Sequence, residues 1–388
     1  MKKMANQPAQ NQALIQAQNN AGMRAALLGS APRMRKNVLT QTAEAGQTIR
    51  MKLFNVGVLT KLQLYVTAAL TIGTAVATPS TKAPWNLINR VRLTDYDGTD
   101  RVNISGFQLY ILNSVRNRFP FGYHNAAGVA AAFTNPVVPT AVGNGVLSFF
   151  IDVPLAFDVE NEIVQLQDLR GSILAQTAVG EMYLSIDFIN SLYTNLDVDS
   201  LYSGAPTTTV VKNGNNNISV TLWQEYLLPQ AIGGNGMVPL PAVDLMTVYE
   251  LNGNIKSSDN LAINTEKLIS YPNVRTVIGS YVNYVQAGTQ TQGKLNSFRL
   301  IANGNNVLID HTELSQLLYQ RNNMTMGADL VPGAYFRLHR DKPIETALFG
   351  NVQLGITPNT VGANPYMELM FESFYPKGQQ LPGLNQAQ

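Results

Sequence analysis

Cysteine is absent from this chain of 388 residues, and charge is scarce. Without cysteine the chain can form neither disulfide bonds nor thiolate metal sites, so its stability must come from packing and assembly. Charged residues make up 13% of the sequence, about half of the roughly 25% usual in soluble domains. A surface with so little charge suits a protein that other copies mostly cover. A low-charge secreted β protein is the alternative explanation.

The residue constellations of common enzymes are also missing. His124, His311 and His339 are the only histidines, and no Gly-x-Ser-x-Gly motif accompanies them. The run 95–100 resembles the start of a calcium loop, but it lacks the glutamate that closes such a loop and is expected to be a β-turn. We therefore predict no catalytic, cofactor or metal site. A glycoside hydrolase with two facing carboxylates stays open, because such a pair can be distant in sequence.

One pattern occurs twice in the chain, over residues 91–118 and 298–322. Each copy has a strand, a turn rich in residues that tolerate positive φ, a second strand and a short helix. In both copies 12 residues separate an isoleucine in the second strand from an arginine at the end of the helix, Arg116 or Arg321. The repetition predicts two similarly built halves.

The two short helices carry similar signals. Ser105 with Gln108, and Asp310 with Glu313, have the spacing of a capping box. An apolar stripe with helical spacing follows each cap. The stripe residues are Phe107, Tyr110, Ile111 and Ser114 in the first helix and Leu314, Leu317 and Leu318 in the second.

Elsewhere the pattern is that of short strands. Residues 62–81 carry no charge and have the length of a membrane span, but their threonines, glycine and proline favour a strand with a loop. Residues 119–151 also lack charge and are expected to be covered by their own domain or by a neighbouring subunit. Further strands are predicted at 146–153, 182–189, 218–227, 246–251, 275–285, 335–338, 345–348, 351–356 and 366–374.

These elements predict an all-β chain of two β-sandwiches, with one short helix in each. Clustered Gly and Pro at 228–245 mark the joint. The predicted domains are a basic N-terminal helical arm at 1–36, a first sandwich at 37–238, a second at 239–376 and a tail at 377–388.

The arm carries six basic residues and no acidic one, a charge of +6, which leaves −4 for the rest of a chain whose net charge is +2. It has no continuous apolar stretch of the kind found in a signal peptide. A weakly amphipathic, basic helix favours contact with an anionic surface, either lipid headgroups or nucleic acid, and a solvated arm is the alternative. The basic residues are Lys2, Lys3, Arg24, Arg33, Arg35 and Lys36.

An ordered set of short motifs resembles the major capsid proteins of tectivirus type, the lipid-containing, tailless icosahedral phages. The set comprises the joint at 228–245, the segments 341–344, 349–352 and 357–361, and the glutamine-rich N-terminal segment. The resemblance extends over nearly the whole chain. Departures lie in the loops 119–145 and 196–217.

The resemblance implies a double jelly roll, that is, two eight-stranded antiparallel sandwiches side by side, with an N-terminal helix. It further implies a homotrimer with a pseudo-hexagonal outline in an icosahedral virion shell, around an internal membrane and double-stranded DNA. The partners would be other copies, the internal viral membrane through the arm, and penton, spike and minor capsid proteins, without sequence-specific nucleic-acid binding. The chain would pass through the host cytoplasm during assembly. The alternative function is a secreted two-domain β-sandwich that binds carbohydrate or a cell surface through an exposed aromatic platform.

Overall fold

The computed structural model of this chain describes residues 7–73, 75–116, 138–158, 167–193, 199–203, 209–229, 239–257, 261–288, 290, 292–323, 333–339 and 342–377. Several predicted features lie outside these residues. They are Lys2, Lys3, His124, most of the loop at 119–145, the glycine-rich part of the joint, and all of the C-terminal tail except Lys377.

The described part of the chain is mostly strands. Its α-helices are α1 (Gln7–Ser30), α2 (Gly106–Arg116), α3 (Ala242–Leu245) and α4 (Glu313–Asn323), and 3₁₀ turns lie at Trp85–Leu87 and Thr346–Leu348. The strands of the first half are β1 (Arg33–Ala43), β2 (Thr48–Lys52), β3 (Val58–Ile72), β4 (Thr78–Pro79), β5 (Ile88–Thr94), β6 (Asp100–Ile104), β7 (Gly143–Pro154), β8 (Ile173–Leu174), β9 (Tyr183–Phe188), β10 (Tyr202–Ser203), β11 (Val210–Lys212) and β12 (Ile218–Leu227). Those of the second half are β13 (Thr247–Ser257), β14 (Lys267–Ser270), β15 (Thr276–Val285), β16 (Leu295–Ala302), β17 (Asn306–Thr312), β18 (Ala334–Leu338), β19 (Ile344–Glu345), β20 (Val352–Pro358) and β21 (Tyr366–Pro376).

The eight main strands of each half follow the same order. In the first half β1-β12-β3-β7 faces β2-β9-β5-β6, and in the second β13-β21-β15-β18 faces β14-β20-β16-β17. Numbered along the chain, both halves read 1-8-3-6 and 2-7-4-5, which is the strand order of a jelly roll. The predicted double jelly roll is confirmed, and we call the halves the first and second rolls.

Strand β3 contains most of the uncharged stretch that has the length of a membrane span. Its residues alternate between buried and partly exposed positions from Leu62 to Ile72. Alternation with a period of two is the signature of a strand with one face on a core, so the interpretation as a strand is confirmed. Among the described residues, no helix is both long enough and apolar enough to cross a bilayer.

The first hairpin and its helix form as predicted. The Ser105 hydroxyl accepts a hydrogen bond from the Gln108 amide at 3.1 Å, and the Gln108 side chain accepts one from the Ser105 amide at 3.0 Å. This reciprocal pair is a complete capping box. The predicted stripe of Phe107, Tyr110 and Ile111 is buried.

The second helix differs from the prediction in both its cap and its stripe. Thr312, not Asp310, accepts the capping hydrogen bond, from the amide of Ser315 at 3.3 Å. Glu313 turns inward and accepts hydrogen bonds from the Gly293 and Leu295 amides at 2.8 and 3.2 Å. The helix buries Glu313, Gln316 and Gln320. Of the predicted stripe, only Leu317 packs against the core of the second roll, while Leu314 and Leu318 are exposed.

Two other local predictions need correction. Residues 33–36, expected to end the helical arm, are the first residues of β1, because α1 ends at Ser30 and the chain then pairs with β12. The strand expected at 345–348 is mainly a 3₁₀ turn at Thr346–Leu348, where the Thr346 hydroxyl donates to the carbonyls of Pro272 and Arg275.

His339 gives the second roll a predicted sensitivity to acid. Its side chain is buried, and burial, with the nearby Arg337 charge, lowers its pKa from 6.5 to about 4. A depressed histidine pKa adds stability that is complete above pH 6.5 and lost as the pH falls towards 4, by up to about 3 kcal/mol. We expect His339→Phe to remove this component from the pH dependence of urea unfolding.

The matched control is His311→Phe, because His311 is only half-buried on β17. Partial burial and the Arg337 charge also lower the pKa of His311, but less than that of His339, so this variant should change the pH dependence far less than His339→Phe does. Identical pH profiles for the His339 variant and the unchanged chain would contradict the assignment.

Candidate functional site

The junction between the two rolls contains several buried polar and charged contacts. Strand β6 of the first roll pairs in parallel with β13 of the second, with Val102 beside Leu251 and Asn103 beside Asn252. A nine-stranded sheet therefore runs through both rolls. Two strand edges that would otherwise offer unpaired backbone groups satisfy each other.

Helix α2 lies against the second roll next to this pairing. The Gln108 side-chain nitrogen donates to the backbone oxygens of Gly253 and Leu369, at 2.8 and 3.0 Å. A Cβ at Gly253 would lie 2.4 Å from the Gln108 side-chain oxygen, so a larger residue there would push Gln108 out of these hydrogen bonds. One glutamine thus caps its own helix and ties that helix to the second roll.

A buried ion pair joins the end of α2 to β21. The Arg116 Nε lies 3.7 Å from Oε1 of Glu372, and the Glu372 side chain is fully buried. The hydroxyls of Tyr249 and Tyr281 donate to the two Glu372 oxygens at 2.7 and 2.8 Å. Burial raises the pKa of Tyr249 well above its ordinary value, so this tyrosine stays a protonated donor. The carboxylate has a charge partner and two donors, as a buried carboxylate requires.

A second buried cation lies at another point of the junction. Lys82 is 2% exposed, and its Nζ is 2.8 Å from Asp199 and 3.0 Å from Glu368 of the second roll. It also donates to the Tyr366 hydroxyl at 3.1 Å. Burial alone would lower the pKa of Lys82, but the carboxylates of Glu368 and Asp199 hold this pKa above its ordinary value.

The turn that resembles a calcium loop is a third contact between the rolls. The Asp95 side chain accepts from Arg101 at 2.7 Å, and Lys377, just beyond β21, places its ammonium 2.5 Å from Asp97 and 3.5 Å from Asp95. The backbone turns at Gly98 with φ +84°. The expected β-turn is confirmed, and side-chain cations of the chain itself neutralise its carboxylates.

The predicted basic residues are dispersed. Arg24 pairs with Asp244 at 3.2 Å, and Asn20 donates to the same carboxylate at 2.8 Å, which fastens α1 to α3. Arg35 lies over the Trp223 ring at 5.0 Å, and Lys36 lies over the Phe54 ring at 4.1 Å. The remaining described member, Arg33, donates to Gln167 at 3.5 Å.

Sequence reasoning did not identify the junction residues. Arg116 ends the helix of the repeated pattern, but nothing in that pattern connects it to Glu372, which is 256 residues away in the chain. Among the described residues, no group of three His, Asp or Glu side chains is placed to hold a metal ion. The site consists of buried, mutually neutralised pairs, so its chemistry is that of rigid attachment.

Comparisons with known proteins agree with this geometry. The family model "P3 major capsid protein N-terminal" matches residues 2–229, and "P3 major capsid protein C-terminal" matches 246–383. Major capsid protein P3 of Enterobacteria phage PRD1 is 26% identical over 338 residues, which cover 82% of this chain and 81% of that protein. The matching family models and this relative give no support to the alternative of a carbohydrate-binding protein.

Solved structures show the same fold. A structure of Sulfolobus Turreted Icosahedral Virus is similar with a TM-score of 0.65 at 13% identity, covering 91% of this chain and 94% of that one. A quasi-atomic structure of the PBCV-1 virus capsid is similar with a TM-score of 0.58 at 10% identity, covering 89% and 94%.

Proposed function

Because this chain belongs to the P3 major capsid protein family and is a structural protein of the virion shell, we propose that it builds the shell as a homotrimer of pseudo-hexagonal outline. The observation that supports this most is the repeat of one strand order in two rolls that are fastened side by side. Three copies then supply six similar wall units around a threefold axis. Such a unit fills a nearly hexagonal array with one kind of chain.

The scarcity of charge fits this role. A shell protein is covered laterally by its neighbours, and close lateral contacts deplete charged residues. The 13% of charged residues include the junction pairs described above, most of whose side chains are buried. Those buried charges neutralise one another inside the chain and take no part in contacts between copies.

Electron microscopy of the purified protein tests the proposed shape. Class averages viewed along the threefold axis should show six lobes of similar size in a nearly hexagonal outline. Averages with three lobes, or with twofold symmetry, would contradict the proposed trimer while leaving the family membership untouched.

We also propose that the N-terminal segment contacts the internal membrane. Four of its six basic residues make contacts within the chain, so the proposal concentrates on Lys2 and Lys3 at the start of the segment. Each basic residue near an anionic leaflet contributes roughly 1 kcal/mol. Because many trimers in one shell make these weak contacts at the same time, the binding of the whole shell to the membrane is strong.

Vesicle sedimentation tests the membrane contact. Lys2→Gln with Lys3→Gln should weaken binding to vesicles that contain phosphatidylglycerol by about 30-fold, from roughly 2 kcal/mol. The matched control removes two exposed lysines of the first roll, by Lys52→Gln with Lys212→Gln. Equal losses in both variants would show that net charge, not the N-terminal segment, drives the binding.

The remaining parts of the proposal concern the assembled particle. The shell is icosahedral, encloses a membrane and a double-stranded DNA genome, and contains penton, spike and minor capsid proteins as further partners. The chain performs no catalytic turnover and reads no nucleic-acid sequence. Mass spectrometry of purified particles, with and without detergent, would identify those partners and the lipid.

A further inference from the structure

Residues of the first roll can be matched one by one with residues of the second roll. In the first roll Arg92 is the cross-strand partner of Asn103, and in the second Arg299 is the partner of Asp310. Arg92 and Arg299 are 207 residues apart, and so are Asn103 and Asp310. The β-bulges of the two hairpins and the first residues of the helices that follow are separated by the same 207 residues. Asn103 and Asp310 are therefore equivalent.

The pairing between the third and the eighth main strand also corresponds in the two rolls. Just after a bulge in the third main strand, Lys61 pairs with Glu225 in the first roll and Gly279 pairs with Glu372 in the second. Each glutamate lies four residues before a proline. Glu225 and Glu372 are therefore equivalent.

The edge strands β1 and β13 can be aligned through these glutamates. Arg35 pairs with Glu225 and Leu251 pairs with Glu372, so the next residues, Lys36 and Asn252, are equivalent. Within one chain the parallel neighbours across the junction are Asn103 and Asn252. The equivalent pair is Asp310 and Lys36, an anion and a cation on opposite sides of the molecule.

Helices α2 and α4 differ in how much of their apolar face is covered. Phe107 and Ile111 of α2 are 1% and 2% exposed, and Phe107 lines a cleft of about 170 Å³ together with Gly253 and Glu368 of the second roll. The equivalent residues of α4 are also apolar, but Leu314 and Leu318 are 69% and 54% exposed.

The edge strands show the same contrast. Strand β6, which pairs with the second roll, is mostly buried, whereas its equivalent β17 is exposed at most positions. Strand β1, the equivalent of β13, is also exposed along nearly its whole length. Exposed edges of this kind pair readily with another strand.

We propose that the second roll of one copy docks on the first roll of the next copy in the way that the first roll docks on the second within a chain. Strand β17 pairs in parallel with β1 of the neighbour, Asp310 lies beside Lys36, and the neighbour covers Leu314 and Leu318. The inference rests on the proposed trimer and adds the surface that forms it.

This contact joins two different surfaces of the chain. Repeated contacts of this kind form a closed ring when the rotations from copy to copy add up to a full turn, and an open filament otherwise. Six equivalent roll-to-roll steps of about 60° complete a turn, and each chain supplies two rolls. Three copies therefore close the ring and leave neither β1 nor β17 as a free edge. The absence of cysteine makes the contact accessible to crosslinking.

A cysteine pair tests the predicted neighbours directly. Adjacent strands lie about 4.8 Å apart, within the Cα separations that a disulfide spans. Lys36→Cys with Asp310→Cys should give, under mild oxidation, a covalent ladder that ends at three chains, about 127 kDa for a 42.3 kDa chain. The control pair Lys36→Cys with Val211→Cys uses an exposed position elsewhere on the first roll and should stay uncrosslinked.

Charge reversal and leucine substitution give readouts that do not need oxidation. Lys36→Asp or Asp310→Lys alone should raise the dissociation constant of the trimer roughly tenfold, and the double exchange should restore it. Leu314→Lys should leave a folded monomer, whereas Leu348→Lys, at a leucine that is 79% exposed outside this surface, should leave the trimer intact.

The outcomes separate this inference from the proposed function. A chain that forms trimers without the ladder, and keeps them with Leu314→Lys, overturns the inferred surface and leaves the trimer standing. An unchanged chain that stays monomeric overturns the trimer as well. A ladder that continues past three chains contradicts the closed ring.

Discussion

Arg116→Met is expected to destabilise the chain by about 3–5 kcal/mol, because it leaves the buried Glu372 carboxylate without its cation. The two tyrosine hydroxyls still donate to that carboxylate, but they carry no charge. The guanidinium also lies over the rings of Phe157 and Tyr249, so packing is lost as well. Urea unfolding at fixed protein concentration measures the loss, since assembly shifts apparent stability.

A double variant isolates the charge effect. Arg116→Met with Glu372→Gln removes both charges and should recover most of the lost stability, because a buried ion pair gives little net stabilisation over neutral groups. Arg92→Met is the control. It breaks an ion pair with Asp100 that is about half exposed, and it should cost less than about 1 kcal/mol. If the Arg116 and Arg92 variants unfold alike, the junction does not depend on this pair.

Gly171→Ala is expected to cost about 2–6 kcal/mol, since it combines backbone strain with a clash between the rolls. Gly171 has φ +89°, in the region that favours glycine. An added Cβ would lie 2.2 Å from the Cβ of Tyr249 in the second roll and 2.4 Å from the Leu155 carbonyl oxygen. Neither atom is the end of a flexible side chain, so the rolls themselves must shift.

Gly214→Ala separates the two causes. Gly214 has φ +83°, and an added Cβ there would meet nothing within 4 Å. This control should cost only the backbone strain, about 1–2 kcal/mol. Equal losses at the two glycines, measured by thermal unfolding, would mean that the close approach of Gly171 to Tyr249 does not set the separation of the rolls.

Local signals allow much of the fold to be predicted from the sequence. The strand at Ile218–Leu227 has the bounds that its pattern predicts. The capping box of Ser105 and Gln108 depends on residues three apart, so its geometry is written in the local sequence. Alternation over β3 is strong enough to exclude a membrane-spanning helix.

Long-range partners explain the failures. Asp310 and Glu313 have the spacing of a cap, but Gly293, Leu295 and Tyr335 engage Glu313 from other parts of the roll. Leu314 and Leu318 have the spacing of a buried stripe, yet the described residues of a single chain leave them exposed. A pattern of apolar residues predicts a buried face without saying which molecule buries it.

The candidate site was not predictable for a related reason. Lys82, Arg116 and Lys377 each meet carboxylates more than 100 residues away, and no spacing rule connects them. The repeat and the Gly and Pro cluster predicted two halves, but only the resemblance to a capsid family placed the two rolls side by side. The residues that form it became evident once both rolls were placed in one sheet.

The solution mass of the purified protein tests the central claim most directly. Light scattering over a dilution series should give about 127 kDa, three times the 42.3 kDa of one chain, and the value should resist dilution. Such a result would support a shell built from trimers and assign the uncharged surfaces to contacts between copies. A monomer of about 42 kDa at every concentration would contradict the account.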